Sequence, residues 1–235
     1  MTRNRVICRV SKKKLDNLLD GAVPGVKPKF RGVLDVIAFA WAMPASSALY
    51  YLAPSGVQSW CALSFGLALI WLYLISALYH VPMWPEKIRK TWRKLDLSAI
   101  FLFFGGCYTP ICLLVFPEGQ GKTLLVVIWI IVFIGCVKCL VWPQAPRFIN
   151  TLLYNAFGWL TLCFLPTLIT NLSPLVFTLL ILGGVFHTLG AIVYAKRWPN
   201  PNPYIFGYHE VFHVLLLMAT TTHFAAFWHI ILKIS

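Results

Sequence analysis

From residue 32 onward the chain alternates long apolar runs with short polar breaks. A helix needs about 20 apolar residues to cross a ~30 Å hydrocarbon core. Seven runs meet or approach that length, near Gly32–Leu52, Gln58–Leu78, Leu97–Phe116, Thr123–Trp142, Thr151–Ile169, Leu175–Ala195 and Tyr204–Ile231. Each reads as a helix, because a backbone in lipid must satisfy its own hydrogen bonds. The expected fold is an all-α membrane protein, a seven-transmembrane-helix bundle forming one domain over residues 32–235. Pro44, Pro110 and Pro166 fall inside runs and are expected to kink them or border cavities. Residues 1–31 are different: polar, with nine Lys and Arg and a loose apolar face from Val6, Ile7, Val10, Leu15, Leu18 and Leu19. They read as a cytosolic tail with a short helix on the membrane surface. No compact apolar core precedes a small-residue cleavage site, so no signal peptide is expected.

Composition supports this reading. Of 235 residues, 59% are hydrophobic and 11% charged, against about 25% charged in soluble domains. The net charge of +13 would suit nucleic acid in a soluble chain. Here the basic residues sit between apolar runs, which points to membrane lipids as partners and away from nucleic acid. Their distribution is one-sided. The tail, Lys87–Lys94, Lys138 with Arg147, and Lys196 with Arg197 hold eighteen of the 20 Lys and Arg. Only Lys122 and Lys233 fall on the other side. By the positive-inside rule the N-terminus is cytosolic, and an odd number of spans puts the C-terminus outside. The seven cysteines show no disulfide framework, and Cys136-Val-Lys-Cys139 is a lone C-x-x-C without a second pair.

That topology brings polar groups together. The second run ends at Ser76 and His80, the third opens with Asp96, and the seventh opens with His209 and His213. All five lie near the cytosolic face, and each i, i+4 pair shares a helix face. Three imidazoles with an open fourth position describe a catalytic zinc site. Asp96 could hold or deprotonate a water there, and Ser76 could orient it. The local alternatives are an N-cap role for Asp96 and a back-bond to its own helix for Ser76. Residues 209–213 also read literally as H-E-x-x-H, in which Glu210 would be the base of a zinc protease. No later aspartate motif supports an intramembrane protease, and Glu210 lies ~100° off the ligand face. It reads better as a polar contact to a neighbouring helix or loop. His187 could line the same cavity; His223 and His229 lie too far along the last run to join it. Asp35 is either a cavity residue or a simple end charge.

Ser76-Ala-Leu-Tyr-His80, Leu95-Asp96-Leu-Ser98-Ala-Ile-Phe101, Tyr108-Thr109-Pro110 and Gly207-Tyr-His209-Glu-Val-Phe-His213 together resemble the hemolysin III family. That family is the bacterial branch of the progestin and adipoQ receptor family, within a wider group of seven-span metal hydrolases. Gly183-Gly184 and Lys196–Pro203 add to the likeness. The resemblance implies a multi-pass protein of the bacterial inner (plasma) membrane with a cytosolic N-terminus. It implies zinc held by His80, His209 and His213, with Asp96 and Ser76 matching the family's aspartate and serine. It further implies ceramidase-like hydrolysis of a lipid amide or ester. The alternatives are a pore-forming cytolysin, as the family name says, or a receptor-like protein with structural zinc. This chain departs from the family at Leu97, where a histidine usually follows the aspartate, and at His187, where an aromatic residue is more usual.

Overall fold

A computed structural model describes residues 27–233. The surface helix expected in residues 1–26 lies outside the described residues. Seven helices are long and apolar enough to cross a membrane: α1 (Val33–Leu52), α2 (Val57–His80), α3 (Glu86–Leu114), α4 (Glu118–Val141), α5 (Arg147–Asn171), α6 (Pro174–Lys196) and α7 (Tyr208–Leu232). Sequential helices pack as neighbours from α1 through α4 and again as α6 against α7. Helix α7 also touches α1, α2 and α3, so it closes the bundle and carries its own residues to the centre.

The core is aromatic and centres on Phe65 of α2. Its ring meets Phe227 of α7 at 4.6 Å and Phe103 of α3 at 6.2 Å between centroids. In lipid no hydrophobic force drives helices together, so close packing and internal hydrogen bonds must. Tyr73 of α2 hydrogen-bonds Thr220 of α7 at 2.5 Å, in the buried interior. At Gly106 of α3, a Cβ would collide with Ala68 of α2 and come within 3.1 Å of the Ser64 carbonyl. The missing side chain is what lets these two backbones approach.

Two differences from the expected spans matter. First, α3 begins at Glu86, more than two turns before the apolar run. The basic stretch Lys87–Lys94 is therefore helix, and its charges repeat along helix faces. Second, α5 is interrupted: a 3₁₀ segment at Trp159–Phe164 separates α-helix at Arg147–Gly158 from Leu165–Asn171. Pro166 falls in the first turn of the resumed α-helix, where its missing N–H leaves no helical hydrogen bond unmade. Tyr108 of α3 repairs the break. Its hydroxyl donates to Phe157 O at 2.7 Å and accepts from Thr161 N at 3.1 Å. Irregular backbone at membrane depth is tolerated where such partners re-satisfy it. Pro44 and Pro110, by contrast, sit within continuous helix.

The end of the basic tail is also more than a topology signal. Lys29 N and Phe30 N donate to Tyr204 O and Ile205 O at 3.1 Å each. The Phe30 ring packs on Phe206, and Lys27 Nζ donates to Val81 O at 2.6 Å. Burial, followed by nearby Arg31 and Arg89, lowers the Lys27 pKa below the usual lysine value. Residues 27–31 thus form a strap across the α6–α7 loop and the end of α2.

The packing at Gly106 can be tested against a glycine with free space, Gly119, which has nothing within 4 Å of a would-be Cβ. Overpacking costs about 1–3 kcal/mol, and each kcal/mol shifts Tm by roughly 2–4 °C at this size. Gly106→Ala should lower the Tm of the detergent-solubilised protein by about 5 °C. Gly119→Ala should leave it within ~2 °C, as read by thermal unfolding.

Candidate metal centre

His80 ends α2, and His209 and His213 open α7. The three side chains are buried and converge: one ligand atom from each lies within 4.8 Å of the others. Their rings form a nearly equilateral triangle, with centroids 4.8 Å apart for His80–His209, 5.0 Å for His80–His213 and 4.7 Å for His209–His213. His80 Nε2 and His209 Nε2 face each other at 3.4 Å. A tetrahedral ion with bonds of roughly 2.0–2.1 Å holds neighbouring ligand nitrogens ~3.3 Å apart. His213 Nε2 is buried without a partner in the protein. A metal ion bound by these nitrogens would satisfy that orphan and replace a close nitrogen–nitrogen approach with two bonds. The group fits a metal.

Asp35 of α1 completes the support. Its Oδ1 lies 2.9 Å from His213 Nδ1, and the side chain is 1% exposed. With a metal ion on Nε2 this would be a carboxylate–histidine–metal arrangement, in which the carboxylate fixes the ring and raises ligand basicity. Gly32 makes the approach possible. It adopts φ +83°, and a Cβ there would sit 3.0 Å from His80 Cβ and closer still to Val81. The sequence leaves Asp35 as either a cavity residue or an end charge, because nothing in its own stretch says which helix it faces.

Glu210 plays a different part from the one H-E-x-x-H assigns. Its Oε1 accepts from Arg31 Nε at 2.6 Å and its Oε2 accepts from Gly207 N at 2.8 Å. Both oxygens are engaged, and the pair is almost fully buried. The carboxylate ties the strap to the first turn of α7. Asn200 Oδ1 caps the same turn by accepting from Tyr208 N at 3.1 Å.

Ser76, His80, Asp96, His187, His209 and His213 all line one cavity of about 70 Å³. Ser76 and Asp96 thus share one cavity with the three histidines. His187 joins them and also lines a second cavity of about 60 Å³, deeper in the bundle, with His223. Tyr154 lines the metal cavity and donates to Leu97 O at 2.9 Å. The C-x-x-C does not form a metal site among the described residues. Cys136 Sγ approaches Ser98 O at 3.7 Å and Cys139 Sγ approaches Tyr154 Oη at 3.8 Å.

A seven-helix bundle with a buried three-histidine group near one end defines the class: a multi-pass integral membrane protein with a centre able to hold a metal ion. The chain belongs to the haemolysin-III-related family, whose model matches residues 27–224. It is similar to Hemolysin-3 of Bacillus cereus, with 34% identity over 155 residues covering 65% of this chain and 67% of that protein. It is also similar to the Hemolysin-3 homolog of Bacillus subtilis (strain 168), with 30% identity over 186 residues, 77% of this chain and 84% of that one. A more distant similarity, 21% over 193 residues, reaches the human monocyte to macrophage differentiation factor and covers 80% of this chain and 77% of that protein. With these relatives, the seven apolar helices place the chain in the plasma membrane.

Two outcomes follow from this geometry. Elemental analysis of the purified protein should find about one metal ion per chain, lost in His80→Ala and in His209→Ala. Asp35→Asn should keep the site but weaken metal binding about 10–100-fold in a chelator competition. Separately, Arg31→Met leaves Glu210 buried without its counter-charge and should cost about 3–5 kcal/mol. Removing both charges in Arg31→Met/Glu210→Met should recover all but roughly 1 kcal/mol, the value of the lost cap to Gly207 N. Denaturant unfolding in detergent reads both.

Proposed function

We propose that this protein is a zinc-dependent hydrolase of a lipid amide or ester, with the three-histidine centre as its active site. The observation that carries the reading is the single buried cavity shared by His80, His209 and His213 with a carboxylate, Asp96, and a hydroxyl, Ser76. Structural zinc sites are closed by four protein ligands, whereas catalytic ones keep a position open. Three ligands beside a cavity with room for a few waters match the second pattern. Nitrogen ligands in tetrahedral array favour zinc among common ions.

When bound, zinc supplies Lewis acidity toward the scissile carbonyl and lowers the pKa of water toward ~7. The chain's own residues do the rest. Asp96 accepts the proton of the attacking water as the new C–O bond forms. The Ser76 hydroxyl donates to the carbonyl oxygen as negative charge develops on it. Asp96 then returns the proton to the leaving amine or alcohol as the C–N or C–O bond breaks. Asp35 holds the His213 ring, and Tyr79, Tyr194 and Phe212 wall the cavity against bulk water. The uneven distribution of basic residues supports a cytosolic N-terminus and a metal centre near the cytosolic face.

The names of the Bacillus relatives favour a second reading, membrane lysis, in which the metal is structural. Leakage from dye-loaded liposomes separates the two: full leakage by a zinc-free His213→Ala variant supports lysis, not hydrolysis. For the leading reading, Asp96→Asn should retain zinc yet lose about 10²–10⁴-fold in hydrolysis of a ceramide-like amide. Undiminished turnover in a zinc-loaded Asp96→Asn protein would remove Asp96 as the base.

A further inference from the structure

The metal cavity, at about 70 Å³, admits a reacting group but not a lipid. It adjoins a far larger space. A vestibule of about 1000 Å³ lies between the start of α3 and the loop joining α4 to α5, and it shares Tyr79 and Arg93 with the metal cavity. Five cationic side chains line it, Arg89, Lys90, Arg93, Lys94 and Arg147, with one carboxylate, Glu86. Glu86 pairs with Lys90 at 2.9 Å.

A positive-inside signal needs only basic residues near a membrane end. This arrangement is more specific in three respects. Because α3 is helical from Glu86, Arg89 and Arg93 stack at i, i+4, as do Lys90 and Lys94. Like charges at that spacing destabilise a helix, a cost that a bound anion would reverse. Next, two guanidinium groups rest on aromatic faces: Arg89 lies 5.4 Å from the Tyr79 ring centroid and Arg147 lies 5.2 Å from that of Tyr194. Arg147 also donates to the Tyr208 hydroxyl at 3.1 Å. Tyr79 and Tyr194 are both walls of the metal cavity, so the arginines are stacked against the outside of the candidate active site. Finally, Arg89 Nε is buried with no hydrogen-bond partner. A stacked guanidinium with donors to spare is preorganised to bind a phosphate through two oxygens.

We propose that the vestibule binds the phosphate headgroup of an anionic amphiphile and aligns the rest of that molecule with the three-histidine cavity. The phosphate oxygens take the Arg89, Arg93 and Arg147 donors, and Lys90 and Lys94 add charge at the rim. The linker passes Tyr79 and Arg93, which both spaces share. The alignment rests on the hydrolase reading above; the binding does not depend on turnover.

The test is equilibrium binding of a di-O-alkyl ether analogue of phosphatidic acid to the purified full-length protein in detergent micelles, read by anisotropy of a labelled tail. The ether links cannot be hydrolysed as esters or amides, so the result is independent of catalysis. The matching ether diglyceride, with the same tails and no phosphate, should bind at least about tenfold more weakly. Arg89→Gln/Arg147→Gln should weaken the phosphate lipid about tenfold or more, whereas Lys122→Gln at the opposite end should not change it. Inorganic phosphate at equal concentration should fail to displace the lipid. Equal affinity for the two lipids in the wild-type protein overturns the proposal, whether or not the double variant folds. Displacement by free phosphate as effective as by the unlabelled lipid overturns the amphiphile in favour of a soluble anion. A failure here would leave hydrolysis of a neutral amide standing, and a failure of hydrolysis would leave this binding result standing.

Discussion

The buried contact between Arg31 and Glu210 is the constraint on which the functional end of the molecule depends. Two charges have left water to meet at 2.6 Å. Such pairs add little net stability over a well-packed apolar pair, because desolvation offsets most of the attraction. What the pair does supply is position. Glu210 lies between His209 and His213, so fixing its carboxylate fixes the rotation of the first turn of α7. Its second oxygen holds Gly207 N at 2.8 Å, which sets where that helix begins. Arg31 is one residue from Gly32, whose left-handed backbone lets α1 start hard against His80 and Val81. One ion pair thereby brings the starts of α1 and α7 and the end of α2 to the same point, and these three elements carry Asp35, both α7 histidines and His80.

The rest of the bundle can be understood as support for that convergence. Among seven apolar helices, nothing in the hydrophobic effect selects one set of neighbours over another once lipid is the solvent. Selection falls to small residues and to polar groups that need partners. Gly106 allows α3 to close on α2. Tyr73 and Thr220 pin α2 to α7 at mid-depth. Tyr108 takes up the backbone groups released by the break in α5. Each interaction is costly to leave unmade in a medium without water, so each specifies arrangement more than it adds stability.

Polar groups that share one end of the bundle divide into distinct environments. The three histidines, with Asp35 behind and Asp96 and Ser76 beside them, form a small enclosed space. The arginines at the start of α3 and the start of α5 form a wide basic one, with Arg89 stacked on Tyr79 and Arg147 on Tyr194. The same aromatic residues wall the inner chamber and stack the outer cations. Glu210, despite its place in the H-E-x-x-H run, belongs to neither; its charge is spent on the strap.

Much of this could be read along the chain. Seven apolar runs gave the spans, because the length needed to cross a bilayer is fixed by its thickness and the helix rise. The i, i+4 spacing put His209 and His213 on one face, and alternating topology put His80, Asp96 and Ser76 at the same depth. Depth, however, is one coordinate. Which residues meet laterally depends on which helices are neighbours and how each is rotated, and apolar runs are nearly featureless in both respects. Asp35 could therefore be read only as a cavity residue or an end charge, and the partner it stands against, His213, could not be named. Arg31 and Lys27 look like topology signals along the chain, although they bind Glu210 and the end of α2. The run Lys87–Lys94 read as a loop because its composition is polar, yet it continues α3 beyond the apolar stretch. Sequence determined the number of helices, the depth of the polar groups and the identity of the three histidines, since these follow from local periodicity and solvent. Tertiary structure decided the partners of each charge, since in lipid an ion can be satisfied only by whatever group packing brings within reach.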